Sequence, residues 1–391
     1  MAKKTFDEVV LFARTGLNPR NNFKLGNGDN KYITIKNIHD GELVIDDNTD
    51  VVSDEAINLI HKRSQIKKGD ILFCSIGRIG DMYIIENEPE GCDINESVFA
   101  FTLNSDIIYQ KYFYYIFKNQ NTIRLISKNS SGSTFKSIKM NQIKKMVFEL
   151  PPLEEQKKVI NILDNLSLII KNFEKELKKL DELTKARFVE MFGDPINNDK
   201  GWKTASVESL CTEIYGGGTP SKAHPEYYKD GDIPWVSSKD MKCEVIKDSQ
   251  IKINQLGVEN STARMVPVNS VIIVIRSGIL KHTLPVAINA VPITINQDLK
   301  AFIPNELVLA KFLSVQFKMH EKDILSGVRA VTADNIEFNS LKQREMIVPP
   351  IELQQQYDVF LSQVDKSRFV VQKALDEAQL LFDSLMQEYF G

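Results

Sequence analysis

The sequence contains an internal repeat whose two copies lie 198 residues apart. The segment PPLEEQ at 151–156 returns as PPIELQ at 349–354, and EMFG at 190–193 returns as EYFG at 388–391. A repeat of this length indicates that one structural plan is used twice along the chain.

Each proline pair is followed by apolar residues at alternating steps of four and three, which is the pattern of a coiled-coil seam. The predicted seam consists of Val159, Leu163, Leu166, Ile170, Phe173, Leu177 and Leu180, and of Tyr357, Leu361, Val364, Val371, Leu375, Ala378, Phe382 and Leu385. Prolines and early glutamates suit a helix N-terminus, where a missing N–H costs nothing and negative charge is favoured. We therefore predict two long helices. Arg368 interrupts the second seam, where a polar residue can set the register.

The regions between the helices also match each other. YITIKNI at 32–38 resembles WVSSKDM at 235–241, and Ile94-Asn95-Glu96 resembles Ile295-Asn296-Gln297. Short β-rich runs, turn signals and helical stretches make each region mixed α/β. The predicted organisation is a first globule at 1–150, a helix at 151–195, a second globule at 196–348 and a helix at 349–391.

Pairing of the two apolar seams constrains the arrangement. The first helix leaves globule one and enters globule two, so the second helix must run back beside it, which predicts an antiparallel coiled coil and a pseudo-two-fold axis. The 28 residues from Tyr357 to Leu385 correspond to about 42 Å of helix. That length equals roughly 12 base pairs of duplex DNA, so two readers held one turn apart would suit a split DNA site.

The composition excludes several classes of protein. No signal peptide is visible at the N-terminus, and the longest aliphatic run, 271–275, is too short to span a bilayer, which predicts a cytoplasmic protein without membrane contact. The cysteines and histidines are scattered, which argues against a metal site. The net charge is −3, yet residues 104–148 hold eight basic residues and one acid. A local basic stretch of this kind is compatible with nucleic-acid binding.

Several motifs, taken in order, closely resemble the specificity subunit of type I restriction-modification systems. They are LPPLEEQ at 150–156, FVEMFGDP at 188–195, YGGGTPSK at 215–222 and IPWV at 233–236. The resemblance covers essentially the whole chain. It implies that the globules are target-recognition domains, each reading half of a bipartite sequence in double-stranded DNA, and that the helices hold two modification subunits.

The resemblance also implies a division of chemistry among subunits. Adenine methylation, with S-adenosylmethionine as cofactor, belongs to the modification subunits, and restriction subunits translocate and cut DNA. This chain is then expected to bind no cofactor or metal and to catalyse nothing. Its sequence lacks both an Asn/Asp-Pro-Pro-Tyr/Phe methyltransferase motif and a phosphate-binding loop with the Gly-x-x-x-x-Gly-Lys-Ser/Thr pattern.

Candidate DNA contacts are the polar and basic residues of loops, because such side chains read bases and hold phosphates. In globule one they are Arg14, Asn18, Arg20, Asn21, Asn22, Lys24, Arg78, Lys128, Ser133, Thr134 and Lys136. In globule two they are Gly217, Gly218, Thr219, Ser221, Lys222, Ser238, Lys239, Arg276, Ser277, Lys281, His282, Arg329 and Thr332. The glycines would let the backbone approach phosphate, whereas Tyr32 and Trp235 are expected in the core.

Two alternatives remain open from the sequence. One is a coiled-coil adaptor that tethers two protein-binding modules, and the other is a stand-alone methyltransferase or nuclease, for which we find no catalytic motif. The outward apolar residues Ile162, Ile169, Leu183 and Val189 indicate either a partner surface or cover for the flank of the coil.

Overall fold

The computed structural model describes residues 2–119, 121–122, 124, 137–327, 329–330 and 334–391. The chain divides into two compact units. The first unit contains the residues through Glu174 together with Lys373–Gly391, and the second contains Lys175–Gln372. Each unit therefore combines a globular part with one segment of each long helix.

The first unit has a four-stranded sheet as its centre, in the order β2-β10-β7-β8, beside a three-stranded sheet in the order β6-β3-β9. Its strands are β1 Ala2–Thr5, β2 Val10–Thr15, β3 Asn30–Ile33, β4 Ile38–His39, β5 Glu42–Leu43, β6 Val51–Val52, β7 Ile71–Cys74, β8 Met82–Ile84, β9 Cys92–Ile94, β10 Val98–Leu103 and β11 Val147–Leu150. Its short helices are α1 Phe6–Val9, α2 Asp54–Ser64, α3 Gln110–Lys118 and α4 Met140–Ile143. Every residue of β7 is buried, as expected for a short apolar run in the middle of a sheet.

The second unit repeats this strand order, with one further strand in each of the two sheets. Its main sheet has the order β13-β21-β18-β19-β15, and β14 pairs with β20 in parallel as β3 pairs with β9. The strands are β12 Thr204–Ser206, β13 Cys211–Gly216, β14 Ile233–Val236, β15 Val245–Ile246, β16 Lys252–Ile253, β17 Met265–Val266, β18 Val271–Val274, β19 Val286–Asn289, β20 Ile293–Ile295, β21 Leu299–Pro304, β22 Arg329–Ala330, β23 Asp334–Asn335 and β24 Glu345–Ile347. The short helices are α6 Gln255–Glu259, α7 Ala310–Met319, α8 Glu321–Ser326 and α9 Phe338–Lys342, with 3-10 turns at Pro225–Tyr227 and Gly278–Lys281. The predicted mixed α/β fold with two similar globules is confirmed.

Two long helices complete the fold, α5 at Leu153–Phe192 and α10 at Ile351–Phe390. In the second unit the hydroxyl of Tyr357, near the start of α10, donates to the carbonyl of Thr184, near the end of α5, at 2.9 Å. In the first unit Leu163 packs in one cluster with Phe382 and Met386. The helices are therefore antiparallel, as predicted, and every predicted seam residue is buried or half-buried.

Arg368, the polar residue in the seam of α10, has two acidic neighbours. Its guanidinium lies 2.6 Å from the Asp181 carboxylate on α5 and 3.4 Å from Glu244 in the globular part of the same unit. The arginine thus joins both helices to the globule, which is a structural reason for a charge in this seam.

Each long helix begins with a fully buried glutamine that holds the preceding globule. Gln156 donates to the carbonyls of Ile107 and Pro151, both at 2.9 Å, and accepts from the Tyr109 amide at 3.2 Å. Gln354 makes the equivalent three bonds to Leu307, Pro349 and Leu309, at 3.0, 2.9 and 2.9 Å. Gln156 and Gln354 therefore fix the start of each long helix to the globule that precedes it.

Within the described part of the chain, no helix is both long and apolar enough to cross a bilayer.

Candidate nucleic-acid interface

In the first unit, three chain segments meet at the turn Asn95–Ser97, which we call the first central turn. The Asn95 amide donates to the Ile33 carbonyl at 2.8 Å, at the end of β3. The Ser75 amide and hydroxyl, just beyond β7, donate to the Ser97 carbonyl at 2.9 and 2.7 Å. Gly16, which opens the loop after β2, lies so close that a Cβ there would be 1.7 Å from the Ile94 carbonyl oxygen. The ends of three strands therefore converge here.

The second unit has the same arrangement at Asn296–Asp298, the second central turn. The Asn296 amide donates to the Val236 carbonyl at 2.9 Å, and the Ile275 amide donates to the Asp298 carbonyl at 2.8 Å. Gly217 takes the place of Gly16, since a Cβ there would be 1.7 Å from the Ile295 carbonyl oxygen. The two glycines are thus required by close packing inside the protein.

A fourth segment also joins each cluster. The Ile138 amide donates to the Ser75 carbonyl at 2.8 Å, and the Ile336 amide donates to the Ile275 carbonyl at 2.9 Å. Isolated bridges also pair Ile76 with Ser137 and Arg276 with Asn335. Four segments are therefore anchored together in each unit. Predicted DNA contacts lie on or next to all four in the second unit, and on or next to three in the first, where the end of β3 carries none.

An aromatic ring holds the glycine-containing loop in both units. The buried Tyr32 donates its hydroxyl to the Leu17 carbonyl at 2.6 Å, and the buried Trp235 donates its indole N–H to the Gly218 carbonyl at 2.9 Å. Burial, followed by the negative charges of Glu96 and Asp50, raises the pKa of Tyr32. These rings lie in the core, as expected, and a phenol and an indole perform the same task in the two units.

The family of the chain follows from this repeated arrangement and from comparison with known proteins. The family model for the type I restriction modification DNA specificity domain matches residues 1–183 and 199–378. The chain belongs to this family.

Relatives and solved structures agree with the assignment to the specificity-domain family. The chain is 37% identical over 166 residues to the EcoR124I/EcoR124II specificity subunit of Escherichia coli, a match that covers 42% of this chain and 40% of that subunit. It is 23% identical over 337 residues to the MjaIX specificity subunit of Methanocaldococcus jannaschii, covering 82% and 76%. The chain therefore matches less than half the length of the first relative.

Two solved structures share the fold. The type I restriction-modification S subunit from M. genitalium aligns over all of this chain and 96% of its own, with a TM-score of 0.58 and 15% identity. The second is a chain from a structure that describes complex assembly and conformational transition of the type I restriction-modification system. It aligns over 100% of this chain and 97% of its own, with a TM-score of 0.57 and 16% identity.

The predicted contacts of the first unit fall into three groups in this specificity-domain chain. Arg20, Asn21, Asn22 and Lys24 are exposed on the loop that follows β2. Arg14 is half-buried and donates to Asp70 at 2.7 Å and to Thr102 at 2.5 Å, whereas Arg78 donates to the Ile35 carbonyl at 3.0 Å and pairs with Asp81 at 3.2 Å. Lys128, Ser133, Thr134 and Lys136 lie outside the described residues.

In the second unit, the exposed predicted contacts are Thr219, Ser221, Lys222, Lys239, Arg276, Lys281 and His282. Gly218 is buried, Ser238 is half-buried, and the Arg276 guanidinium donates to the Asp298 carboxylate at 2.6 Å. Ser277 accepts from the Ile279 amide at 3.5 Å. Arg329 belongs to β22, but its side chain, like the whole of Thr332, lies outside the described residues.

Sequence reasoning missed the two central turns as a place where loops converge. Their signal was present, because Ile94-Asn95-Glu96 and Ile295-Asn296-Gln297 had already been matched as a repeat. Asp298 joins the second central turn to Arg276, and Gln297 joins it to Thr219. Neither Asp298 nor Gln297 was a predicted site residue. Among the described residues, no cluster of three or more His, Cys, Asp or Glu side chains is placed to hold a metal ion.

Proposed function

We propose that the chain recognises a bipartite sequence in double-stranded DNA and directs adenine methylation and restriction by associated modification and restriction subunits. The observation that carries this proposal is the duplicated central turn. One backbone arrangement is used twice, while the loops attached to it differ in sequence. A constant scaffold with two different polar surfaces suits two different half-sites, since base edges are read by side chains.

The charges of the loops support a mixture of base and phosphate contacts. Arg20 and Lys24 in the first unit, and Lys222 in the second, are exposed cations. Arg78 and Arg276 are also exposed, and each is paired with a carboxylate that orients it. Exposed cations on loops suit phosphate, and oriented guanidiniums suit the bidentate reading of a base.

The chain is proposed to be non-catalytic, and S-adenosylmethionine is expected on the modification subunits. The sequence lacks the two motifs that would mark a methyltransferase or a phosphate-binding site. Two modification subunits, one for each half of the repeat, and restriction subunits are the proposed protein partners. A cytoplasmic location is proposed with them.

The function is tested by isolating the chain with its modification subunits and sequencing the DNA that they methylate. We expect a motif with two specified parts and an unread gap. Binding of the complex to its target duplex should weaken steeply as salt rises from 50 to 200 mM, by about 10³-fold or more if six or more phosphates are contacted. A continuous motif would contradict the bipartite reading, and binding that ignores salt would favour the protein adaptor.

The long helices offer apolar surface for the proposed protein partners. On α5, Ile162, Ile169, Leu183 and Val189 are exposed, as the sequence indicated. On α10 the exposure is larger, with Phe369 at 71% and Val370 at 65% in the second unit, and Leu380 at 72% and Leu381 at 50% in the first. Adjacent exposed apolar residues on a helix are typical of an interaction surface.

Replacing both Leu380 and Leu381 with aspartate is expected to reduce binding of a modification subunit by more than tenfold, because two charges would enter an apolar contact. The fold should be retained, since both side chains are exposed. Co-purification of the subunits and titration of the complex measure the effect. The matched control places aspartates at the exposed polar pair Gln355 and Gln356 of the same helix. Unchanged assembly of the leucine variant would remove this surface from the proposal.

A further inference from the structure

Glu96, the middle residue of the first central turn, has a carboxylate oxygen that receives no hydrogen bond from the described residues. The residue is half-buried, and its Oε2 atom is shielded from solvent and has no hydrogen-bond partner among the described residues. A carboxylate oxygen that is withdrawn from water without a donor destabilises the folded state. Such an atom needs an explanation in terms of a missing partner.

Three strong donors of the first unit are already engaged with other groups. The Tyr32 hydroxyl, whose pKa rises through burial and then through the charge of Glu96, donates to the Leu17 carbonyl. Arg14 is paired with Asp70, and Arg78 is paired with Asp81. Each of these three groups is therefore directed to a partner other than Glu96.

The second unit shows what a satisfied version of this position looks like. Gln297 occupies the equivalent place, and its Oε1 atom accepts from the Thr219 hydroxyl at 2.5 Å. The loop residue that corresponds to Thr219 in the first unit is Asn18, whose carbonyl and side-chain oxygen both accept from Asn22. The first unit thus has an ionisable acceptor, and the second has a neutral amide that is bound within the protein.

We propose that Glu96 is a specificity-determining residue that accepts a hydrogen bond from the exocyclic amino group of a cytosine or adenine in the half-site of the first unit. This proposal rests on the proposed function. In the major groove, cytosine N4 and adenine N6 are donors, whereas guanine O6 and thymine O4 are acceptors. A carboxylate is an acceptor only, so it binds the amino bases and repels the keto bases. The Glu96 carboxylate is not attracted to the phosphate backbone, so it contributes to selectivity and not to general affinity.

The location of Glu96 supports this role. The first central turn joins the loop after β2, the end of β3 and the end of β7, and these segments carry the predicted contacts Arg20, Asn21, Asn22, Lys24 and Arg78. An acid placed among groups that attract DNA weakens general affinity through repulsion from phosphate. Discrimination between bases offsets this loss of affinity, because a wrong base would leave the carboxylate without a hydrogen-bond donor.

The test uses the full chain with its modification subunits, first with the wild-type motif determined by sequencing methylated DNA. Duplexes in which each half-site position is changed in turn between amino and keto bases are then titrated against wild-type, Glu96→Gln and Glu96→Ala complexes. We expect wild type to discriminate by about 5- to 150-fold at the position read by Glu96. Discrimination there should fall below about threefold in Glu96→Ala and remain unchanged at every other position.

The isosteric Glu96→Gln variant covers the case in which the alanine variant fails to fold. Its amide can donate as well as accept, so it should tolerate keto bases at the same position. Whether that position holds cytosine or adenine in the wild-type motif identifies the source of the amino group. Glu154→Gln, at an exposed acid in the first turn of α5, is the charge-matched control.

Two results would overturn the proposal. One is unchanged discrimination at every position in a folded Glu96 variant. The other is a uniform loss of affinity for all duplexes together with a lower unfolding midpoint, which would assign Glu96 a structural role. Failure of the proposed function is visible separately, as a wild-type complex that methylates no bipartite motif.

Discussion

Replacement of Asp70 with alanine is expected to lower the free energy of unfolding of the first unit by about 3–5 kcal/mol. Asp70 is fully buried, and its carboxylate lies 2.7 Å from the Arg14 guanidinium, which is itself only 15% exposed. The same carboxylate accepts from the Thr102 hydroxyl at 2.5 Å and from the Lys67 amide at 3.0 Å. The alanine variant would leave a buried guanidinium without its counter-ion. Urea unfolding of the full chain, followed by circular dichroism, measures the loss.

A second variant separates the ion pair from simple truncation. Replacing Asp70 with leucine and Arg14 with methionine removes both charges, and should restore much of the stability, because apolar pairs often substitute for buried ion pairs without loss. Asp106→Ala, at an exposed acid of the same unit, should change the unfolding free energy by less than about 0.5 kcal/mol. An Asp70→Ala chain as stable as this control would show that the buried pair does not hold the unit together.

Replacement of Gln156 or Gln354 with leucine is expected to destabilise the corresponding unit by about 3 kcal/mol. Each glutamine is fully buried and satisfies two carbonyls and one amide of the backbone. Leucine has a similar size but no polar atoms, so three buried backbone groups would lose partners, at roughly 1–3 kcal/mol for a group that stays unpaired. Thermal unfolding of the full chain measures both variants.

Gln355→Leu is the matched control, since the adjacent glutamine is exposed on the same helix. It should leave the unfolding midpoint unchanged within about 1 °C. Gln156→Leu and Gln354→Leu should act on different units, so their combined loss should be additive. A loss below about 1 kcal/mol in either variant would mean that water replaces the missing amide at the helix start.

The helices were the part of the fold most accessible from sequence, because their signals are local. The proline pairs, the early glutamates and the four-and-three spacing are read within one helix, and the observed bounds at Leu153 and Ile351 lie two residues after the first prolines of each pair. The alternating order of globules and helices in the repeat then predicted that the two long helices are antiparallel. Strand order was not predicted, because pairings such as β3 with β9 join residues that are 61 positions apart.

The residue types of the candidate site could be predicted from the sequence, but the contacts between those residues could not. Arg14 and Arg20 belong to one polar run in the sequence, yet Arg14 is paired with Asp70, which lies 56 residues later, whereas Arg20 is exposed. Glu96 was used only to align the two copies of the repeat. The absence of a hydrogen-bond donor at its Oε2 atom, among the described residues, is a property of tertiary structure that no local sequence pattern shows.

The division of each long helix between the two units bears on the order of folding during synthesis. The second unit is continuous in the chain, whereas the first needs Lys373–Gly391 to supply Phe382 and Met386 to the cluster around Leu163 and Tyr115. A ribosome makes those residues after the whole of the second unit, so Leu163 and Tyr115 emerge well before their partners. Domains generally fold as units, and apolar surface that waits for its partner is exposed to aggregation. The globule made first is therefore the one that is completed last.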